Sequence, residues 1–322
     1  MSRRFQHRGG FGLRDLLVAI AAIGFLLGLV VIYLPAGRGP AYRTQCGNNL
    51  RQLGLAVHNY HDINGSLPPL YSEVRSSTGE MTSEFAPSWA VFLLPFLEHR
   101  AAWENLVITE SATNNSVTLP GGSGQTNLRV LSAVRAWTFN CPKRGPREVS
   151  RNGVMWQTSD YVPCVHSSFD GAYPSNVKNQ TGIIISPMKS ATSSTPVVSR
   201  TTFGSVTDGL PFTALFGEKH MGSAWLGKPN RDWPVLMFTA DERAVRSTGL
   251  ALAKGSHEAG TAPNADSIAG AAPEIGKFGS WHPEACQFCF GDTSIKRVKN
   301  HTSVAILKAM TGRADGIQYD LP

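Results

Sequence analysis

RGGFGLRDLLVAIAAIGFLLGLVVIYL, residues 8 to 34, decides how the chain is organised. From Leu16 to Leu34 it holds 19 consecutive residues without a charge, and Arg14 and Asp15 lie immediately before them. As a helix rising about 1.5 Å per residue, this run is roughly 28 Å long, close to the hydrocarbon thickness of a bilayer. Core helices of this length normally have a polar face, and this one has none, so we predict a transmembrane helix.

Three arginines on the amino side of the run, Arg3, Arg4 and Arg8, predict its orientation. Positive charges stay on the cytoplasmic side, so the chain is expected to cross the membrane once, with its N-terminus in the cytoplasm and its main domain outside. A cleaved secretory signal is the alternative. The apolar region of such signals is usually about 7–15 residues, shorter than this run.

Asp15 needs a partner if it enters the membrane. A carboxylate in hydrocarbon costs about 2.5–3.5 kcal/mol or more unless it is paired. Arg14 is adjacent, but neighbouring residues on a helix do not face each other. A new amino group would be a suitable partner if the chain were cut before Phe11. The plain alternative is that Arg14 and Asp15 are the last polar residues before the membrane.

The residues RGG-FGLRD resemble the prepilin-type cleavage and methylation motif of type IV pilins and pseudopilins. The resemblance implies that a prepilin peptidase cuts after Gly10 and methylates Phe11, and that Asp15 meets the amine of a neighbouring subunit. The family usually has Thr at Gly12, Ile at Arg14 and Glu at Asp15. The expected organisation is a leader (1–10), a transmembrane anchor (11–34) and an extracytoplasmic domain (35–322).

The start of the domain has the pattern of an amphipathic helix. In CGNNLRQLGLAVHNYHDINGSLPP (46–69), Leu50, Leu53, Val57 and Tyr60 recur at helical spacing, and Asn64-Gly65 should end the helix. Prolines and glycines at 35–40 are expected to separate it from the anchor. We predict an α+β, pilin-like domain in which this helix packs on an antiparallel β-sheet. Long loops are expected at 109–127 and 247–276.

Later blocks extend the resemblance along nearly the whole chain. They are SWAVFLLPFLEHRAAW, FNCPKR, SDYVP, VTDGLPFTALFGEKH and GSWHPEACQFCFGDTSIKRV. In this order they resemble a bacterial family, domain of unknown function 1559, whose members begin with a prepilin-type motif and end in His, nine residues, Asp-Gly. His282 and Asp292 are the matching residues here, with Thr293 in place of the usual Gly. Members commonly keep Cys at Cys46 and Cys141, which implies a disulfide between these two.

The remaining cysteines predict no redox site. Cys286 and Cys289 have the spacing of a redox motif, but alternating residues indicate a strand, where positions three apart point to opposite faces. Two buried thiols are therefore expected. At the end of the same block, Gly291-Asp292 suits a hairpin turn, so Asp292 is interpreted as a turn former rather than a catalytic acid.

The sequence offers little support for catalysis or cofactor binding. It has no nucleophile elbow, HExxH motif, phosphate-binding glycine loop or paired carboxylates. Glu218 and His220 are interpreted as an exposed or salt-bridged strand edge. His282 has no second His or carboxylate at ligand spacing, so a core or loop role is favoured over a metal site. We expect no enzyme activity, cofactor or metal, although an envelope enzyme using His282, Asp292 or the Glu218–His220 pair is an alternative.

The formal charge of +7 also excludes one class of partner. Three of these charges precede the apolar run and the rest form no dense basic block, so nucleic-acid binding is not expected. The leading hypothesis is a non-enzymatic, pilin- or pseudopilin-like protein of the bacterial cytoplasmic membrane, part of a type II secretion or type IV pilus-like system. Its expected partners are a prepilin peptidase, other pilin-like subunits and the membrane. The alternative is a membrane-tethered module that binds an extracytoplasmic ligand or polymer.

Overall fold

The protein is an α+β structure. The computed structural model describes residues 12–71, 86–106, 109–111, 116–118, 124–151, 153–166, 180–185, 188–189, 196–197, 201–222, 225–228, 232–238, 246–247, 251–253, 277–282 and 284–321. Over these residues the helices are α1 Leu13–Asn64, α2 Trp89–Leu93, α3 Arg100–Glu104, α4 Gly124–Ala133 and α5 Val304–Ala309. The chain forms two compact units, Met1–Arg43 and Thr44–Pro322, so the boundary lies nine residues beyond the expected end of the anchor.

The strands form one main sheet and several short pairs. They are β1 Ala86–Pro87, β2 Thr109–Ser111, β3 Ser116–Thr118, β4 Glu148–Arg151, β5 Val154–Gln157, β6 Tyr161–His166, β7 Met188–Lys189, β8 Pro196–Val197, β9 Ala214–Glu218, β10 Met237–Phe238, β11 Arg246–Ser247, β12 Ala285–Phe290 and β13 Ile295–Lys299. The main sheet has the order β11-β6-β9-β12-β13 and is antiparallel except for the β11–β6 edge. The pairing of β2 with β3 corrects the expectation that 109–127 is only loop.

Helix α1 is continuous where the sequence predicted an interruption. It runs for 52 residues, from Leu13 to Asn64, through Pro35 and Pro40. The expectation of a break was wrong: the helix continues past both prolines, although each one removes a helical hydrogen bond and its ring crowds the carbonyl four residues earlier. At its start, the amide of Gly12 donates to Asp15 Oδ2 at 3.0 Å, so Asp15 caps the first turn. Gly10 and Phe11 lie outside the described residues.

Within the first unit, the described apolar side chains from Leu13 to Leu27 are largely exposed, including Leu13, Val18 and Phe25. In the described part of the chain, no helix combines the length and apolar character that crossing a membrane requires.

Within the second unit, the end of α1 packs on the main sheet, as predicted. Leu50, Leu53 and Val57 are fully buried in the larger core cluster. A Cβ on Gly54 would come within 2.7 Å of Cys289 Sγ on β12, so the helix backbone approaches the sheet closely there. The other side of β12 carries Cys286, which lies in a second cluster with Leu307 of α5. The sheet therefore lies between α1 and α5, and the prediction of two buried thiols on opposite faces is confirmed.

The β12–β13 hairpin turns at Asp292, as the sequence predicted. Asp292 Oδ1 accepts hydrogen bonds from Ser294 N at 3.0 Å and Ser294 Oγ at 2.6 Å. Thr293 follows with a φ of 67°, in the left-handed region that a β-branched side chain disfavours. The turn therefore forms around Asp292 with Thr293 under backbone strain.

Replacing Thr293 with glycine should stabilise the protein by about 0.5–1 kcal/mol. The left-handed conformation costs an L-residue about 1–2 kcal/mol, and the larger unfolded-state entropy of glycine offsets part of that gain. Urea unfolding of the full-length chain measures the difference. Ser294→Gly is the matched control, because Ser294 has no such φ and bonds to Asp292, so this variant should be less stable than the wild type. Equal destabilisation by both changes would contradict the strain at Thr293.

Candidate metal centre

Four side chains able to bind a metal meet in the interior of the domain. They are Cys46 on α1, Cys141, Glu218 at the end of β9, and His282 just before β12. One sulfur, oxygen or nitrogen atom from each lies within 4.8 Å of the corresponding atoms of the others, and all four residues are buried. Cys46 and His282 are 236 residues apart in the sequence. We call this set the Cys₂–Glu–His cluster.

The other three residues of the cluster converge on one nitrogen of His282. From His282 Nε2 the distances are 3.2 Å to Cys46 Sγ, 3.7 Å to Cys141 Sγ and 4.0 Å to Glu218 Oε1. A ring nitrogen is either one donor or one acceptor, so it cannot form hydrogen bonds to all three at once. The arrangement has the form of a coordination shell rather than of a hydrogen-bonded chain.

Backbone groups and neighbouring side chains hold the cluster in place. The second carboxylate oxygen of Glu218, Oε2, accepts from the amide of Gln287 at 2.8 Å. The amide of His282 donates to Ser280 Oγ at 3.0 Å, and the amide of Cys141 donates to Asp160 Oδ2 at 2.7 Å. Hydrogen bonds of this kind, between a metal-binding residue and its neighbours, fix the orientation of the side chains that bind a metal.

A buried network of ion pairs lies beside Cys141, whose amide donates to Asp160. Asp160 pairs with Arg144 at 2.7 Å and with Arg147 at 2.6 Å. Asp232 pairs with Lys219 at 3.0 Å and with Arg147 at 3.3 Å. All five residues are 9% exposed or less. Three cations and two anions leave one net positive charge beside the thiols.

The electrostatics of the cluster favour a negative charge at one thiol. A hydrogen bond with Cys46 lowers the pKa of Cys141 to about 5, and His282 and Arg144 also favour the thiolate. The same interaction raises the pKa of Cys46, because a second thiolate beside the first is disfavoured. Burial raises the pKa of Glu218 to about 7, and the nearby Cys141 adds to this shift.

Tyr161 borders the cluster from the start of β6. Its side chain is fully buried, and burial followed by the charge of Cys46 raises the pKa of the phenol well above its ordinary value. Among the described residues, its hydroxyl has no hydrogen-bond partner of normal geometry. The hydroxyl also interacts with the Cys46 thiol, which contributes to the raised pKa and makes Tyr161 part of the surroundings of the cluster.

The comparison with protein families identifies this chain. The family model described as "Protein of unknown function (DUF1559)" matches residues 35–303. The chain belongs to the DUF1559 family. This confirms the family resemblance of the sequence, and all four residues of the cluster lie within the matched range. No curated protein and no solved structure matches the chain.

The two residues of the DUF1559 tail motif have different surroundings. His282 is buried in the cluster, and Asp292 lies in the exposed turn with Ser294. They are at opposite ends of the six-residue strand β12, which is roughly 20 Å long. The structure therefore gives His282 a place in a polar site and Asp292 a role in the turn.

One site prediction is wrong in the DUF1559 structure, and another stays a prediction. Glu218 and His220 were expected at a strand edge, but both are buried, because β9 lies between β6 and β12 in the sheet. Cys46 and Cys141 lie close together, as their expected disulfide requires, yet both are free thiols. Their disulfide stays a prediction, and a shared metal ion is now an alternative to it.

Sequence reasoning missed the cluster because its members come from four separate segments of the DUF1559 chain. No two of them stand at the short spacing that marks a familiar metal motif. Cys141 lies in the sequence block FNCPKR, Glu218 in FGEKH and His282 in SWHP, whereas Cys46 lies on the helix. The recurrence of Cys, Glu and His in separate blocks was the available signal, but only the fold brings them together.

Proposed function

We propose that the chain is a non-enzymatic, pilin-like protein of the bacterial cytoplasmic membrane, held by its N-terminal helix, with its main domain outside the cytoplasm. The observation that carries this proposal is the continuity of α1, which includes both the apolar run after Asp15 and the buried stripe at Leu50, Leu53 and Val57. A long helix that begins in an apolar segment and ends as a core helix is the arrangement that the resemblance to pilins implies.

The continuity of α1 also ranks the alternatives. A break between the anchor and the domain helix at 35–40 would favour a membrane-tethered binding module. Helix α1 has no break at these residues. An enzyme would need a reactive group that a substrate can reach, whereas Glu218, His220 and His282 are each 5% exposed or less. Asp292 is exposed, but its carboxylate accepts hydrogen bonds from Ser294 in the turn. The pilin-like function, with a prepilin peptidase and other pilin-like subunits of a type II secretion or type IV pilus-like system as partners, is therefore preferred.

We expect the mature chain isolated from membranes to begin at N-methylated Phe11. Mass spectrometry of the N-terminal peptide measures this directly. Gly10→Val should abolish processing, because the motif places the cut directly after Gly10, whereas Gly9→Val at the neighbouring glycine should leave it intact.

The other possible N-termini separate the alternatives. A chain that starts at Met1 would contradict the pilin-like proposal and leave a plain membrane tether, which favours the binding module. A chain that starts beyond Pro35 would indicate a removed signal and contradict both anchored alternatives.

A further inference from the structure

We infer that Cys46, Cys141, Glu218 and His282 together bind one zinc ion, which holds the core of the domain together. The inference concerns the second compact unit alone and does not depend on the proposed pilin-like function. It stands on the distances, burial and charge of the described side chains.

The distances match a tetrahedral site. With Zn–S bonds of about 2.3 Å and Zn–N bonds of about 2.0 Å, tetrahedral geometry places sulfur and nitrogen ligands about 3.5 Å apart. The two thiols lie 3.2 and 3.7 Å from His282 Nε2, on either side of that value. Glu218 Oε1, at 4.0 Å from the same nitrogen, needs to move by only about half an ångström to complete the shell.

The charges balance when a divalent cation is present. Two thiolates, a carboxylate and a divalent cation sum to one negative charge at the cluster. The buried ion network beside it carries one net positive charge, from three cations and two anions. An uncompensated charge in a protein interior is costly, and the zinc-bound cluster avoids it with both thiolates and the carboxylate ionised.

The geometry does not fit a nucleophilic cysteine site. In a Cys–His–acid triad the thiol and the acid contact different nitrogens of the ring. Here both thiols and the carboxylate of Glu218 are arranged around the same atom, His282 Nε2. A metal ion among them would satisfy all four groups together.

The ligand set selects the metal and its role. Thiolate and imidazole ligands in a tetrahedral arrangement favour zinc over magnesium or calcium, which prefer all-oxygen sites. Four protein ligands in a buried position form a closed shell, whereas catalytic zinc sites keep one position for water or substrate. The site is therefore structural, and its ligands connect α1, the segment at Cys141, β9 and the start of β12.

The first test is metal content. The full-length chain, purified in detergent without chelators, should contain about one zinc per molecule by plasma mass spectrometry. Cys141→Ala and His282→Ala should each weaken zinc binding by more than the about 10- to 100-fold that loss of a secondary contact causes. Cys164→Ala is the matched control, because Cys164 is equally buried but lies outside the cluster, and it should keep its zinc.

Cobalt substitution gives a second measurement, which is made first on the wild-type chain. Cobalt(II) in the wild-type site should show the thiolate-to-cobalt charge-transfer absorption and the intense visible bands of a tetrahedral centre. His282→Cys replaces one ligand with another and should retain metal with a stronger charge-transfer band. A merely structural role for His282 would not produce that change.

Three results would overturn the inference. The first is a wild-type chain that remains metal-free after zinc is added and shows no thiolate–cobalt band. The second is undiminished zinc in Cys141→Ala and His282→Ala. The third is a Cys46–Cys141 disulfide-linked peptide in an unreduced digest of the native chain. If the alanine variants fail to fold, the metal content and the cobalt spectrum of the wild-type chain still test whether the cluster binds zinc.

Discussion

Asp160→Asn is expected to lower the free energy of unfolding by about 3–5 kcal/mol, because removing one partner of a buried ion pair leaves an uncompensated charge in the interior. The carboxylate is fully buried and pairs with both Arg144 and Arg147. It also accepts the amide of Cys141, so the change disturbs the cluster as well as the ion network. Asparagine has nearly the same shape, but it removes the counter-ion of Arg144 and one of the two counter-ions of Arg147, which still pairs with Asp232. Urea unfolding of the full-length chain measures the loss.

Glu148→Gln is the matched control for Asp160→Asn. Glu148 also pairs with an arginine, Arg135, but both side chains of that pair are more than a third exposed. Exposed ion pairs contribute about 0–1 kcal/mol, so the control should change stability little. Similar losses in the two variants would show that the ion network is not the source of the effect.

The pH dependence gives a further check on Asp160. Burial alone would raise the pKa of this carboxyl, but Arg147 and Arg144 outweigh burial and hold the pKa well below its ordinary range. Because the folded pKa is depressed, the stabilisation is complete above the unfolded pKa of about 3.9 and is lost as the pH falls through the folded value. The difference between wild type and Asp160→Asn should stay constant down to about pH 5 and shrink below about pH 4.

Leu53→Ala should cost about 3–5 kcal/mol, because it opens a cavity where α1 meets the sheet. Leu53 is fully buried in the larger core cluster, one residue from the close approach of Gly54 to Cys289. Leu55→Ala is the control on the same helix. Leu55 is 48% exposed, so its replacement should cost less than about 1 kcal/mol.

Thermal and urea unfolding of the two leucine variants report the difference directly. Because leucine and alanine are both good helix formers, the comparison separates core packing from helix propensity. Equal effects at Leu53 and Leu55 would contradict the packing of α1 on the main sheet.

Several elements could be predicted because their signals are local. The stripe from Leu50 to Tyr60 predicted the core helix, and the alternation at Cys286 and Phe288 predicted β12. The turn at Asp292 follows from the residue preferences of short hairpins. In each case the residues that form the element are neighbours in the sequence, so the local sequence pattern is enough to predict the helix, strand or turn.

Features that depend on distant contacts could not be predicted. Glu218 follows the apolar segment ALFG, and nothing in that segment shows whether its strand lies at the edge or in the middle of a sheet. The Cys₂–Glu–His cluster needs the positions of four segments at once. The helix through Pro35 and Pro40 was mispredicted for a different reason: the break was inferred from local residues, and a proline weakens a helix without always ending it.

The order of strands in the main sheet has a consequence for how the chain folds. Strand β12 is near the end of the sequence but lies between β9 and β13, and its Gln287 amide bonds to Glu218, 69 residues earlier. Pairings between such distant segments slow folding, because the loop must close before the contact is gained. The middle of the sheet is therefore completed only after residues 285–290 have been synthesised. In a nascent chain that lacks these residues, one edge of β9 has no strand to pair with. The core is therefore completed late in folding.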